Sequence, residues 1–210
     1  MTEWHPPDGE EWVREGDVKI AKCSLRMIQL WPDGSEYPRY EWVRDHTPHG
    51  VRVLDVGCNS GQILRNLEQD RQTANVGVDI DAEFVEFARS RGGATYHVMA
   101  AEHLTERLLP ESFDVVLALE VLEHVPSLRP TLAAMIGVLK PGGLLLVTVP
   151  MPHGLTGYRF MHDWPTHHVR IFTRWRLQTA LEAMGLMIED YAEIEKIGHG
   201  FMSMGMAARK

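Results

Sequence analysis

From Val51 onward the chain repeats one unit: a short continuous apolar run, a break, then apolar residues at helical spacing. Val51–Val56 runs into Gly57, and Ile63, Leu64 and Leu67 follow on one helical face. Asn75–Asp79 is a second short strand, followed by a helix marked by Phe84, Val85 and Ala88. Thr95–Met99, Phe113–Leu119 and Leu144–Val149 read as further strands. Leu132, Met135, Ile136 and Leu139 predict a helix with Pro130 in its first turn, stopped by Lys140-Pro141-Gly142-Gly143. Thr173 suits the N-cap of a helix over Trp175–Met184, with Gly185 at its end. Met187–Ile194 and Phe201–Ala207 are the last two strands. Strands buried on both faces read as unbroken apolar runs, and alternation with helices makes neighbouring strands parallel. The pattern predicts an α/β fold: a doubly wound, seven-stranded, mostly parallel sheet with helices on both faces and the last strand antiparallel.

At 210 residues the chain holds about one domain. Residues 1–35 contain Pro6, Pro7, Asp8, Gly9 and the turn signal Trp31-Pro32-Asp33-Gly34, and read as an N-terminal extension packed on or near the domain. Residues 36–210 form the domain itself. It opens with a short helix over Tyr37–His46 that buries Tyr40 and Val43, with Trp42 beside them. Lys and Arg number 21 against 29 Asp and Glu, a net charge of −8. Non-specific nucleic-acid binding rests on cations neutralising phosphates, so this balance disfavours it unless a local basic patch exists. The two cysteines, Cys23 and Cys58, have neither zinc-site nor disulfide-framework spacing, which suits a reducing cytoplasm. No apolar stretch approaches the roughly 20 residues a membrane span needs. The N-terminus lacks the basic and apolar segments of a secretory signal.

In open α/β sheets ligands bind at the carboxyl ends of the strands. The first strand ends in Val53–Gly61, VLDVGCNSG, where Gly57 and Gly61 allow close backbone approach and the loop opens a helix with donor amides. The second ends in Gly77–Asp81, GVDID. Asp79 follows Gly57 by 22 residues, the place for a carboxylate accepting both ribose hydroxyls of a nucleoside. A nicotinamide-dinucleotide reading fits poorly: the glycines lack the G-x-G-x-x-G spacing, and Asp55 would repel a pyrophosphate.

These segments resemble the class I S-adenosylmethionine-dependent methyltransferases over roughly residues 37–195. Asp55-Val56-Gly57-Cys58-Asn59-Ser60-Gly61 is similar to the family's first motif, and Asp79 to its ribose-binding acid. Ala101-Glu102 resembles the adenine-edge segment. Asp114–Val125 (DVVLALEVLEHV) is similar to the fourth motif, and Leu139–Val149 to the strand that follows it. His168–Gly185 resembles the closing segment of the superfamily. The resemblance implies S-adenosylmethionine as cofactor, held by Asp55, Gly57, Cys58, Asn59, Gly61, Asp79, Ile80, Ala101, Glu102, Leu119 and Glu120. Asp55 suits the methionyl ammonium by charge. Two positions depart from the pattern. Asn59 replaces the middle glycine, a residue that tolerates the left-handed region. Ala100 stands where the family often has an aspartate for the adenine amino group.

The implied activity is methyl transfer to an oxygen or nitrogen of a small-molecule acceptor. His124 and His168 are the catalytic candidates, each following a strand at the sheet edge where the methyl must sit. A neutral imidazole can act there as general base. Alternatively Glu120, Glu123, His124 and His168 hold a divalent ion, as in the similar Glu-x-x-Glu-His group of small-RNA 2′-O-methyltransferases, and that resemblance implies a metal-dependent RNA 2′-O-methyltransferase as the second reading of the function. Glu120 and Glu123, three apart, share one face of a helix. Glu123 and His124 diverge on a regular helix and can meet in the turn that starts one, which favours the metal-free form. A non-catalytic S-adenosylmethionine-binding protein is the third reading. Pro150–Phe172 is a long loop carrying four of the eleven histidines, with Tyr158, Phe160, Trp164, Arg159 and Arg170, and is expected to cover the acceptor and neutralise or stack on it.

Overall fold

The computed structural model describes residues 12–15, 18–21, 38–151, 168–196 and 201–210. Two short strands, β1 (Trp12–Glu15) and β2 (Val18–Ala21), pair antiparallel. The remainder of the 1–35 segment, and its expected packing, lies outside the described residues, as does 152–167 of the long loop.

The domain begins with α1 (Pro38–His46), Pro38 taking a first helical position that needs no N–H partner. Then come β3 (Arg52–Val56), α2 (Gln62–Arg71), β4 (Ala74–Asp79), α3 (Ala82–Arg91) and β5 (Thr95–Val98). A 3₁₀ turn (Ala101–His103) and α4 (Leu104–Arg107) lead to β6 (Phe113–Leu119), α5 (Leu128–Val138) and β7 (Leu139–Met151). The chain closes with α6 (Arg174–Glu182), β8 (Met187–Lys196) and β9 (Phe201–Arg209). Seven strands form one sheet in the order β5-β4-β3-β6-β7-β9-β8. β3 pairs parallel with β4 and β6, β4 with β5, and β6 with β7; β9 runs antiparallel between β7 and β8. The expected sheet is therefore present, its last strand antiparallel.

Alternating residues of the central strands divide the core. Val53, Val115, Leu117, Leu144 and Leu146 face α1, α2 and α3, packing on Tyr40, Val43, Leu64, Leu67, Val85 and Ala88. Leu54, Val56, Val116, Ala118, Leu145 and Val147 face the other way, onto Leu132, Met135 and Val138 of α5 and Leu177 and Leu181 of α6. Caps set the helix starts: Asp81 accepts from the N–H of Glu83 and Phe84, and Thr173 from that of Arg176. α5 ends at Val138, but Lys140–Gly143 belongs to β7 as an irregularity between the pairs Phe113–Leu139 and Val115–Leu144. The strand reaches well beyond Leu144–Val149. Among the described residues no helix is long and apolar enough to cross a membrane.

Candidate active site

Register aligns the carboxyl ends of the parallel strands. Val56 lies beside Val78 and Ala118, Asp79 beside Val98, and Leu119 beside Thr148. Every loop that follows these residues opens on one edge of the sheet, which gathers Asp55, the 57–61 loop, Asp79, Ile80, Ala101-Glu102 and Glu120 along it.

The first loop is built by the backbone. The N–H groups of Gly57 and Cys58 both donate to the Val78 carbonyl, at 2.8 and 3.0 Å. Gly57 and Gly61 sit at φ of 75° and 72°, and a Cβ on Gly57 would lie 2.6 Å from Val121 Cγ2. Asn59 takes the left-handed conformation at φ 47°, as its tolerance of that region predicts. Its side-chain oxygen accepts from Ser60 N–H at 2.7 Å, and its own N–H donates to Asp79 Oδ2 at 2.8 Å. Asp79 Oδ1 accepts from Asp81 N–H at 2.9 Å. Asp79 thus ties the two loops together. A carboxylate has about four lone-pair sites, so acceptor capacity remains for two hydroxyls. Burial pushes the Asp79 carboxyl upward, against the backbone N–H groups that favour its charge.

Asp55 is buried on the α1 side of β3. Burial, with the neighbouring Asp79 charge, pushes its carboxyl up to about 8, against the pull of Arg39 on α1. Arg39 also faces Glu120, Nη1 to Oε1 3.9 Å. Cys58 turns its side chain into the core, where burial pushes its thiol up, so only its backbone faces the loop. Ile80 is 48% exposed, an apolar side chain left open beside the proposed ribose acid. Ala101 and Glu102 lie in the 3₁₀ turn after β5, with Glu102 exposed. Leu119 is half-buried against the α1–α3 side of the core.

The segment after β6 differs from the helical expectation. Glu120 is a bend at φ 59°, its N–H donating to Thr148 carbonyl at 2.8 Å, and residues 122–124 form a turn closed by His124 N–H on Val121 carbonyl at 2.9 Å. The turn brings Glu123 and His124 together where a helix would splay them: His124 Nε2 lies 3.7 Å from Glu123 Oε1. His168 joins them, its ring centroid 5.0 Å from that of His124. Ligand atoms of Glu123, His124 and His168 all lie within 4.8 Å of one another. Glu120 stands apart, with Arg39. Side-chain exposure is 38% for His124 and 1% for Glu123, so the imidazole is the group open to an acceptor.

Two arginines complete the edge. Arg39 was not legible as a site residue, because its partners lie far along the chain. Arg170 differs from its expected role as a cation for the acceptor: its guanidinium donates to the carbonyls of Leu122 at 2.7 Å, Pro126 at 3.0 Å, and Val125. Phe172 anchors the end of the long loop in the core.

Known proteins are similar to this chain in sequence and in fold. Residues 54–147 match the family described as methyltransferase domain. Over that stretch the chain is similar to methyltransferase domains. A ubiquinone biosynthesis O-methyltransferase of Idiomarina loihiensis is 36% identical over 140 residues, 60% of this chain and 57% of that relative. One of the same name from Aeromonas salmonicida is 29% identical over 203 residues, 84% of each chain. The match thus spans less than two thirds of the first relative's length. Among solved structures, a methyltransferase of Methanosarcina mazei superposes with a TM-score of 0.67 at 23% identity, covering 80% of this chain and 96% of that one. The [4+2]-cyclase SpnF superposes at 0.69 and 24% identity, covering 82% and 79%. These two likenesses show the fold, and the second shows that the methyltransferase fold does not fix the reaction.

Proposed function

We propose that this chain binds S-adenosylmethionine and transfers its methyl group to a hydroxyl oxygen of a small molecule, within a reducing, cytoplasmic compartment. One observation carries the reading: the Asp55–Gly61 loop and Asp79 are hydrogen-bonded into a single cradle at the carboxyl ends of β3 and β4. Asp79 is proposed to accept the ribose hydroxyls, Ile80 to pack on the adenine, and Ala101 and Glu102 to border its edge. The Gly57, Cys58, Asn59 and Gly61 backbone would line the methionyl portion beside Leu119 and Glu120. Asp55 would complement the ammonium, and Arg39 the methionyl carboxylate. The names of the sequence relatives favour an oxygen acceptor.

The transfer is a single displacement in which the acceptor oxygen forms a bond to the methyl carbon as the sulfonium bond breaks. Alignment and exclusion of water carry most of the rate. His124 and His168 would take the hydroxyl proton. An imidazole base suits a phenolic hydroxyl, with a pKa near that of tyrosine at about 10, better than an aliphatic alcohol. A second reading is favoured by the geometry of the turn. One carboxylate and two imidazoles converging within 4.8 Å make a donor set that suits a divalent transition metal. Glu123, His124 and His168 would hold that ion, which would lower the pKa of an acceptor hydroxyl. The objection that Glu123 and His124 diverge does not apply in a turn.

Calorimetry with S-adenosylhomocysteine and turnover assays over a panel of phenols test the reading. Asp79→Ala is expected to weaken cofactor binding by about 2–3 kcal/mol, the worth of charged hydrogen bonds. Equal binding by wild type and variant refutes the proposed cradle. Turnover that survives a chelator assigns the histidines as base; turnover lost to chelation and restored by a divalent ion assigns the metal.

A further inference from the structure

The turn that carries Glu123 and His124 is held almost wholly from outside itself. Carbonyls at helix-less turns need donors, and buried ones left without them are costly. Here two consecutive residues, 169 and 170, supply donors to four turn carbonyls. Val169 N–H donates to Glu123 carbonyl at 2.9 Å. Arg170 Nη1 donates to Leu122 carbonyl at 2.7 Å and to Val125 carbonyl, and Nη2 to Pro126 carbonyl at 3.0 Å. The planar guanidinium fork spans three acceptors at fixed geometry, which a point-charge ammonium does not. The same cation lies near the buried Glu123 carboxylate, whose charge favours the protonated guanidinium against its burial. His168, the residue before this pair, meets the His124 ring at 5.0 Å.

We propose that Arg170 is a positioning residue: by fixing the Leu122–Pro126 turn to the 168–172 segment, it sets the mutual placement of His124 and His168. Arg170 does not itself face the acceptor. The segment bearing it ends the long loop and starts α6 through Thr173, so the histidine from the loop and the histidine from the turn are aligned by one side chain. Movement of the loop end would then disturb both histidines together. Only the kinetic arm of the test below rests on the methyl-transfer reading.

The test compares the wild type with Arg170→Gln and Arg170→Lys. In Arg170→Gln the amides of His124 and Val169 are expected to exchange with solvent at least about tenfold faster, while those of Val53–Val56 are unchanged. The imidazole proton resonances of His124 and His168, read at one fixed pH, are expected to move together. Affinity for S-adenosylhomocysteine is expected to stay within about twofold, because its cradle lies on β3 and β4. Arg170→Lys, which keeps the charge and loses the fork, is expected to fall between the two. Against any phenol the wild type methylates, Arg170→Gln is expected to lower kcat with the cofactor KM unchanged. Unaltered imidazole resonances and exchange in Arg170→Gln overturn the proposal. So does equal acceleration of the Val53–Val56 amides, which would make Arg170 a general stabiliser. If neither variant folds, the wild type decides: a Val169 amide exchanging as fast as an unprotected peptide overturns the clamp, and one opening together with His124 supports it. Absence of turnover with every phenol refutes the acceptor reading and leaves these structural readouts to judge Arg170.

Discussion

At the scale of single residues, Asp55 has the most consequential environment. Its carboxyl is buried and pushed up to about 8, first by burial and then by the Asp79 charge. A folded-state pKa above the unfolded value means the native protein binds more protons in between. Stability contributed by protonated Asp55 is therefore complete below about pH 4, the ordinary carboxyl range, and is lost as pH rises toward 8. The slope for one such group is at most about 1.4 kcal/mol per pH unit. Asp55→Asn mimics the neutral form and is expected to flatten that part of the profile. Urea denaturation of both proteins from pH 4 to 8 checks this, and parallel slopes count against it. A cation beside it favours the ionised form, as Arg39 already does, and the proposed methionyl ammonium would add to that effect. The turn over 57–61 and its tie to Asp79 were readable because a left-handed, closely approached loop needs glycines and its amides need a carboxylate at the end of the neighbouring strand. Arg39 was not, because an ion pair to Glu120 across the fold leaves no local signature.

Among the elements, the parallel strands were the most legible and the site turn the least. Burial on both faces forces continuous apolar runs, so β6 begins and ends where its pattern does, at Phe113 and Leu119. β7 begins earlier than its apolar run, because Lys140–Gly143 reads as punctuation while its backbone bonds to the last strand: Gly142 N–H donates to Lys210 carbonyl at 3.0 Å. The Glu120–His124 spacing reads as helix, yet its turn is imposed by Val169 and Arg170, the latter 48 positions from Leu122. No local propensity encodes a partner that distant. The same turn constrains the glycine loop, since Val121 packs where a Gly57 side chain would go. Gly57→Ala combines a left-handed backbone, costing about 1–2 kcal/mol for a residue with a Cβ, with that 2.6 Å approach. It is expected to lower the stability by at least that amount and to shift Val121. Tm together with the Val121 methyl resonances checks this; wild-type values for both would show that the loops are not packed on each other.

Across the whole molecule, the sheet is completed by β9, which inserts antiparallel between β7 and β8 and so joins the last strand pair to the parallel core. That closure is sealed at one end by Lys210. Its backbone exchanges hydrogen bonds with the β7 irregularity, Lys210 N–H to Gly143 carbonyl and Gly142 N–H to Lys210 carbonyl, both at 3.0 Å. Its ammonium donates to the carbonyls of Ile136 at 2.9 Å and Leu139 at 2.6 Å, where α5 runs into β7, and to Glu111 at 3.2 Å. One side chain thus satisfies carbonyls at the end of a helix and gains from the negative pole of its dipole. The side chain is only 23% exposed, so these bonds are partly shielded from water. Lys210→Met keeps most of the apolar stem and removes the three donors. Two carbonyls lose a charged partner, for an expected destabilisation of about 1–3 kcal/mol. The midpoint in urea should fall with the slope unchanged, because the surface exposed on unfolding is the same. Cofactor affinity should not move, since Lys210 lies at the strand edge opposite the site. A variant with the wild-type midpoint would mean that water replaces the ammonium at no cost, and that β9 is held by its ladder alone.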